Sequence, residues 1–290
     1  MELTSAKVIK NLLEKYGIRP FKGWGQNFLI DKFILKKIID SADLKKSDIV
    51  LEIGPGIGTL TQELAKKVHP VKSLRSKFNG AGKVIAVEKD RKMAEILREL
   101  LECWNVKNVE IIQEDVLKLD PKPYTLKPYK VVANLPYYIV SPVIRKFLEG
   151  VDVKPRQMIL MVQKEVAQRI CAKPPDMNLL AVSVQFYAKP EILFYVSKNS
   201  FWPSPKVDGA VLKIIPLTDT NRKLTDTKLF FQIVKAGFSQ PRKQLCNNLA
   251  NGLKLNKEKT KNWLLENQIN PIQRAETLSI EDWLNLTKTY

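Results

Sequence analysis

Residues 51–61, LEIGPGIGTLT, constrain the fold of this chain more than any other segment. An apolar, β-branched run ends in three glycines, Gly54, Gly56 and Gly58, and a helical pattern starts directly behind them. Glycines at such a junction let the backbone turn sharply and approach a ligand at the amino terminus of the helix. The chain is therefore read as an α/β protein with a nucleotide-like ligand at the edge of its sheet. The spacing is GxGxG, which is neither the GxGxxG of dinucleotide folds nor a P-loop with its Gly-Lys-Ser/Thr. A tight turn that binds nothing is the plainer alternative.

The pattern around the loop favours the first reading. Short apolar runs at residues 48–53, 83–87, 109–113, 129–133 and 157–162 read as strands of a mostly parallel sheet covered on both faces. Two more strand-like runs lie at 180–187 and 210–215. Between the strands, residues 59–68 open with a Thr-x-x-Gln capping box, and Asp90 caps a helix with the apolar stripe Met93, Ile96, Leu97, Leu100 and Leu101. Ser141 and Pro142 suit the N-cap and first turn of a further helix. The alternation predicts a doubly wound, Rossmann-like α/β domain over residues 1–216, with helices on both faces of the sheet. Beyond it the strand signal stops. Residues 229–237, 257–266 around Trp263, and a Ser-x-x-Asp start at Ser279 predict a small all-helical domain over 217–290.

Charge narrows the partners. Among 290 residues, 48 are Lys or Arg against 30 Asp or Glu, a net charge of +18, and a polyanion is the natural counterpart. Cys103, Cys171 and Cys246 form no CxxC or Cys/His cluster and His69 is the single histidine, so no metal site, disulfide framework or histidine-dependent triad is expected. The amino terminus lacks the apolar core and cleavage site of a secretory signal, and no run approaches a membrane span; a cytoplasmic protein with no membrane attachment is expected.

Three further positions surround the glycine loop. Glu88 ends the second strand, where an acid would take ribose hydroxyls. It lies 34 residues after Gly54, an interval that a 14-residue insertion at 69–82 reduces to the expected 20. Taken alone, a strand-end Glu is more often a solvated charge. Asp115 ends the third strand in QEDV and could accept from an adenine amino group. Acidic neighbours would also suit a sulfonium, since opposite charge offsets its desolvation. After the fourth strand comes Asn134-Leu135-Pro136-Tyr137. An Asn oxygen and a nearby backbone carbonyl can both accept from an exocyclic amine and aim its lone pair at a methyl donor, while an aromatic ring stacks on the base. A polar turn into a helix is the alternative for NxPY in isolation.

Taken together, GQNFLID at 25–31, EIGPGIGTLT, VIAVEKD, QEDV, NLPYYIVSP and FWPSPKVDGAV resemble the KsgA-type rRNA adenine N6,N6-dimethyltransferases, in the family's order from about Trp24 to Leu249. The resemblance implies that Asn27, Leu29, the glycine loop at Gly54 and Gly56, Glu88, Asp115 and Asn134 contact S-adenosyl-L-methionine. It implies that Asn134 and Pro136 hold the target amine, and that Tyr137 and Phe201 stack on a flipped adenine; in isolation Phe201 would be a core residue. The implied substrate is two adjacent adenosines near the 3′ end of small-subunit rRNA, within the assembling small ribosomal subunit. A monomer suffices for such a partner.

The sequence departs from that family in three places. The insertion and its flanks carry six basic residues, Lys66, Lys67, Lys72, Arg75, Lys77 and Lys83, suited to rRNA phosphates or to a solvated loop. KPPDMNLL at 173–180 is irregular, and in FSQPRKQLCNNL at 238–249 Pro241 reduces a usual arginine pair to Arg242 and Lys243. Three alternatives remain open: a large-subunit rRNA adenine methyltransferase of the macrolide-resistance type, a non-catalytic ribosome-assembly or transcription factor, and a nicotinamide-dependent oxidoreductase. The last leaves NLPY and the charge of +18 unexplained. Cytosine C5 methylation is disfavoured because none of the cysteines follows a proline.

Overall fold

The computed structural model describes residues 2–18, 26–68, 82–122, 124, 128–218 and 225–290. In chain order these form helix α1 (Ala6–Lys15), strand β1 (Phe28–Leu29), α2 (Lys32–Ser41), β2 (Ile49–Ile53), α3 (Thr59–Lys67), β3 (Lys83–Glu88), α4 (Arg91–Cys103), β4 (Val109–Gln113) and β5 (Tyr129–Asn134). There follow α5 (Val140–Glu149), β6 (Gln157–Gln163), α6 (Lys164–Ile170), α7 (Leu179–Gln185), β7 (Ala188–Val196), β8 (Phe201–Trp202) and β9 (Gly209–Pro216). Next come α8 (Thr227–Gly237), α9 (Leu245–Leu253), α10 (Lys257–Glu266) and α11 (Ile280–Lys288).

Seven strands build one sheet in the order β4-β3-β2-β5-β6-β9-β7. The pairs from β4 through β6 are parallel and β9 runs antiparallel to β6. Strand order reverses at β2, which has β3 on one side and β5 on the other, and such a switch point is where open α/β sheets bind ligands. The apolar runs are buried as the continuous hydrophobic pattern requires: Val84, Ile85, Val131, Val132, Ile159 and Leu160 are fully enclosed. A few polar residues are buried in this sheet as well, among them Glu52, Glu88, Lys130 and Gln157. Lys130 is held at the start of β5 by Asp48 at 3.0 Å, by the Ala42 carbonyl at 3.1 Å and by the Asp43 carbonyl. The Gln157 amide donates to the same Ala42 carbonyl, so α2 is tied to two strands at once.

The short sheet of β1 and β8 joins two motifs that are far apart in sequence. Phe28 pairs with Trp202 and Leu29 with Phe201. The Ser200 hydroxyl adds a 3.0 Å bond to Asp31, whose other oxygen caps α2.

Several local expectations hold and others are corrected. Asp90 caps α4 through the Lys92 and Met93 amides, and the predicted stripe from Met93 to Leu101 is buried. Ser279 and Asp282 form the full capping box of α11. For α3 the N-cap is Gly58, not Thr59. The chain enters α3 at φ 90°, and a Cβ on Gly58 would lie 2.5 Å from the Leu97 methyl, so close packing against α4 fixes a glycine there. Helix α5 starts at Val140, behind a 3-10 turn at Tyr137–Ile139, which leaves Ser141 inside its first turn and not at its cap.

The run at 180–187 is a helix, α7, and not a strand. A short apolar run does not distinguish the two by periodicity. The Asn178 side chain decides the matter by accepting from Ala181 at 3.0 Å, which caps a helix. The strand lies just beyond, in β7.

The chain divides into two compact units, Met1–Ala167 with Glu191–Pro216, and Gln168–Pro190 with Leu217–Tyr290. Residues 168–190 group with the helical tail. The cause is aromatic packing within the second unit: Phe186 meets Phe230 at 4.3 Å and shares its core with Ile233, Leu249 and Trp283. Most of the insertion at 69–82, including His69, Lys72, Arg75 and Lys77, lies outside the described residues. Of its basic flanks, Lys66 pairs with Glu63, Lys67 with Asp40 and Lys83 with Glu110.

Candidate active site

The carboxyl ends of β2, β3, β4 and β5 share one edge of the sheet, and a cavity of about 400 Å³ lies against them. Asn27, Leu29, Gly54 and Gly56 border it, as do Glu88, Asp115, Asn134 and Pro136. Each is placed by backbone geometry. Glu88, the last residue of β3, is 8% exposed; its Oε2 accepts from the Gly56 amide at 3.0 Å and its Oε1 from the Asp90 amide at 2.8 Å. The acid thereby ties the glycine turn to the cap of α4. Burial pushes the Glu88 carboxyl above the usual carboxylate range, and the Asp90 and Gly56 amides hold it back in part.

Asp115 has the opposite environment. Its Oδ1 accepts from the Leu117 amide at 3.0 Å and its Oδ2 from Lys89 at 2.9 Å, and these donors hold its carboxyl below the usual range. At the end of β5, the Asn134 Nδ2 donates to the Asn27 carbonyl at 3.1 Å. A carbonyl can only accept, so this bond fixes which end of the amide is nitrogen and leaves the Asn134 oxygen as the end that can accept from a ligand. The glycine turn is close to β1: a Cβ on Gly56 would stand 3.3 Å from the Phe28 ring.

Two predicted residues stand elsewhere. Tyr137 is half-buried and is not among the residues that border the cavity; its hydroxyl is pushed up by burial. Phe201 is 3% exposed and packs in the core with Leu29, Val196 and Val211, because pairing of β8 with β1 turns it inward. In this conformation the Phe201 ring is enclosed. The cavity is instead bordered by Tyr138, which is 58% exposed. The second Tyr of NLPYY was the available signal for it.

The sequence reading also missed Glu52, inside the run DIVLEI. It is fully buried and borders the cavity, and neither carboxyl oxygen has a hydrogen-bond partner among the described residues. The Thr59 and Thr61 hydroxyls are equally buried and unpartnered. Burial pushes the Glu52 carboxyl up to about 8; the Thr61 hydroxyl and amide, which act on it without the geometry of a close hydrogen bond, oppose the shift, and the Glu88 charge adds to it. An acid in an otherwise apolar strand was the signal that could have found it.

The donor set fits S-adenosylmethionine. In a chain of net charge +18, the cavity is bordered by five carboxyl side chains, Glu52, Glu88, Asp90, Glu114 and Asp115, and by one lysine, Lys89. That lining repels a dinucleotide's phosphates and attracts a sulfonium and an ammonium. Glu88 and Asp115 keep lone pairs that can accept from the hydroxyls or amine of a ligand. Among the described residues no group of three His, Cys, Asp or Glu side chains is placed to hold a metal ion, and no helix is long and apolar enough to cross a membrane.

Comparison with known proteins agrees with this geometry. Residues 21–290 match the family model described as ribosomal RNA adenine dimethylase. A ribosomal RNA small subunit methyltransferase A of Dehalococcoides mccartyi (strain CBDB1) is 44% identical over 97% of this chain and 92% of its own length. One of Alkaliphilus metalliredigens is 41% identical over 99% and 97%. Among solved structures, a dimethyladenosine transferase from Plasmodium falciparum superposes with TM-score 0.68 at 28% identity, covering 88% of this chain and 94% of that one. The 23S rRNA methyltransferase ErmE reaches the same TM-score of 0.68 at 24% identity, covering 91% of this chain and 99% of its own, which speaks to the fold alone. On the match across nearly its whole length, the chain belongs to the ribosomal RNA adenine dimethylase family.

Proposed function

We infer that this protein transfers methyl groups from S-adenosylmethionine to N6 of two adjacent adenosines near the 3′ end of small-subunit rRNA, giving N6,N6-dimethyladenosine during assembly of the small ribosomal subunit. The observation that carries the reading is the fixed Asn134 amide at the cavity edge, with its nitrogen committed to Asn27 and its oxygen left to accept. S-adenosylmethionine supplies an electrophilic methyl group. The protein's own part is to orient the amine and stabilise the charge it acquires. The Asn134 oxygen and the Pro136 carbonyl accept from the exocyclic amine, which localises its lone pair and favours the positive nitrogen that develops; the proton leaves afterwards. Holding the reactants in this alignment can account for up to about 7–11 kcal/mol of the barrier. No side-chain nucleophile is needed.

Cofactor contacts are assigned to Asn27, Leu29, Gly54, Gly56, Glu88, Asp115 and Asn134, seven residues that border the one cavity. Tyr137 is the proposed stacking ring, and Phe201 supports the site from the core by anchoring Leu29. The small-subunit substrate is supported by the bacterial relatives at 44% and 41% identity, which are small subunit methyltransferases by name, and the cytoplasmic setting follows from that substrate. Basic residues over the chain, +18 in net charge, suit an rRNA partner.

The test is methyl transfer from labelled S-adenosylmethionine to small ribosomal subunits that lack the modification, with the product nucleoside identified and mapped. Dimethyladenosine near the rRNA 3′ end, made by the wild type and not by Asn134→Ala, is expected. Transfer only to large-subunit rRNA, or cofactor binding without transfer, would overturn the reading.

A further inference from the structure

The sheet edge that carries the cavity continues past Asn134. Strands β6, β9 and β7 complete the order, with β7 at the outside. Asn134 pairs with Met161 on β6, and Gln163, two residues on, pairs with Gly209 at the start of β9. A Cβ on Gly209 would stand 3.7 Å from the Val196 Cβ, so β7 ends at the same edge. Asp208 ties this corner together: its carbonyl accepts from the Lys164 amide at 3.0 Å and its Oδ1 from the Lys198 amide at 3.0 Å. Its charge also reaches Tyr137, whose hydroxyl is raised by burial first and by Asp208 second. One rim therefore leads from the NLPY turn to the end of β7.

Tyr195 stands on that rim. Successive side chains of a strand point to opposite faces. Phe194 packs against the core and has the Lys37 ammonium 4.0 Å from its ring, so Tyr195 turns to the other face, where it is 51% exposed. The Lys164 ammonium is 5.0 Å from the Tyr195 ring centroid, within cation–π range. Among the described residues, the Tyr195 hydroxyl has no hydrogen-bond partner, and neither Lys164 nor Lys198 pairs with an acid.

An open ring beside an uncommitted cation is how proteins hold single-stranded nucleic acid, with bases stacked on aromatic side chains and the backbone drawn to positive charge. Continuity with Asn134 names the strand as the one that delivers the target. From β5 to β7 is three strand spacings, about 14 Å, a span that a few nucleotides cover. Flipping one adenosine leaves its neighbours unstacked, and a second ring on the rim offsets that loss.

We propose that Tyr195 and Lys164 form a positioning site for the RNA strand beside the target adenosine, with a flanking base stacked on the Tyr195 ring and its phosphate paired with the Lys164 ammonium. The proposal rests on the methyl-transfer reading above and adds to it a place for a nucleotide that is not methylated at that moment.

Methyl transfer from labelled S-adenosylmethionine, followed against the concentration of unmodified small subunits, separates binding from turnover. Tyr195→Thr keeps a β-branched residue in the edge strand and removes the ring. It should raise KM for the subunit by about tenfold, one stacked base corresponding to about 5- to 150-fold, with kcat and S-adenosylmethionine affinity close to wild type. Tyr195→Phe, which keeps the ring, should recover most of that loss. Lys164→Gln should lower the slope of log affinity for the subunit against log salt by about 0.7–0.9, the share of one phosphate contact, whereas Tyr195→Thr should leave the slope as it is. An unchanged KM for Tyr195→Thr, a Tyr195→Phe variant as weak as Tyr195→Thr, or an unaltered salt slope for Lys164→Gln would overturn the proposal. Equal losses of S-adenosylmethionine and subunit affinity in Tyr195→Thr would overturn it too, since they would make the ring a support of the fold. A wild type that methylates no small subunit would instead overturn the functional reading, and the proposal with it.

Discussion

Replacing Asn134 by alanine removes two contacts of different kinds, and their sizes can be separated. The first is structural. Its Nδ2 bond to the Asn27 carbonyl, 3.1 Å and partly buried, is a neutral hydrogen bond with a net contribution of about 1 kcal/mol. Its loss should lower the melting temperature by about 2–4 °C. The second is chemical. The amide oxygen accepts from an amine that becomes positive during transfer, and one preorganised group aimed at developing charge contributes roughly 2.7–4 kcal/mol, or about 10²–10³ in rate. Asn134→Ala should therefore lose about 10²–10³-fold in single-turnover methyl transfer while RNA affinity is retained, since the phosphate contacts that dominate it are untouched. Rapid-quench measurement with labelled cofactor on unmodified small subunits gives the rate, and a melting curve gives the stability. A residual rate within tenfold of wild type would refute the role given to the oxygen. A collapse of stability far beyond the estimate would refute the partition between the two contacts.

Three more predictions follow from burial. Phe201→Ala should cost about 3–5 kcal/mol of stability, as for other enclosed aromatic rings, and lose cofactor affinity and turnover together; intact stability with lost turnover would restore the ring to the base-stacking role. Lys130→Met leaves Asp48 without its counter-charge and the Asp43 carbonyl without this donor, while Gln157 still donates to Ala42 and the Lys45 amide to Asp48, and should cost roughly 3–5 kcal/mol, of which Lys130→Met/Asp48→Asn recovers a part; a single variant as stable as wild type in denaturant titration would show that the pair is dispensable. Glu52 makes ligand-free stability depend on pH. Its folded carboxyl, raised to about 8 from an ordinary 4.5, binds more protons than the unfolded one between those values, so stability is greatest below the window and falls as pH rises through it. The fall is at most about 5 kcal/mol, Glu88 adds to it in the same direction, and parallel melting profiles for wild type and Glu52→Gln from pH 5 to 8 would contradict it.

How much of this was legible in sequence depended on whether a residue's role is local. The glycine turn, the cap at Asp90, the stripe of α4 and the carboxyl ends at Glu88 and Asp115 are set within a few positions, and the pattern carries them. The capping box expected at Thr59 is absent because the chain enters α3 through Gly58 at φ 90° with the Leu97 methyl of α4 close by, a conformation that suits glycine. Helix α7 was misread for a similar reason. Its β-branched run suits a strand, and what makes it helical is the Asn178 cap together with the aromatic core around Phe186 and Phe230. That same core draws residues 168–190 into the second unit, across a boundary that composition placed only at Pro216. Phe201 shows the limit most clearly. Its motif says that it matters, but only the pairing with Leu29 says that it faces the core.

The charge distribution links the two sides of the chemistry. A net charge of +18 suits a polyanionic substrate, yet the cavity at the sheet edge is bordered by five acids and one lysine. The contrast is needed because the cofactor is a cation and its partner is an RNA surrounded by phosphates. A basic cavity would concentrate phosphate where the methyl donor belongs; an acidic exterior would repel the substrate altogether. At the cavity, the Glu88 oxygens are each held by a backbone amide and Asp115 by an amide and one lysine, so the positions of their oxygens are fixed by turns that the strand ends dictate. Charge placed in this way does not reorganise when a cation arrives, which is the condition under which electrostatic stabilisation is strongest.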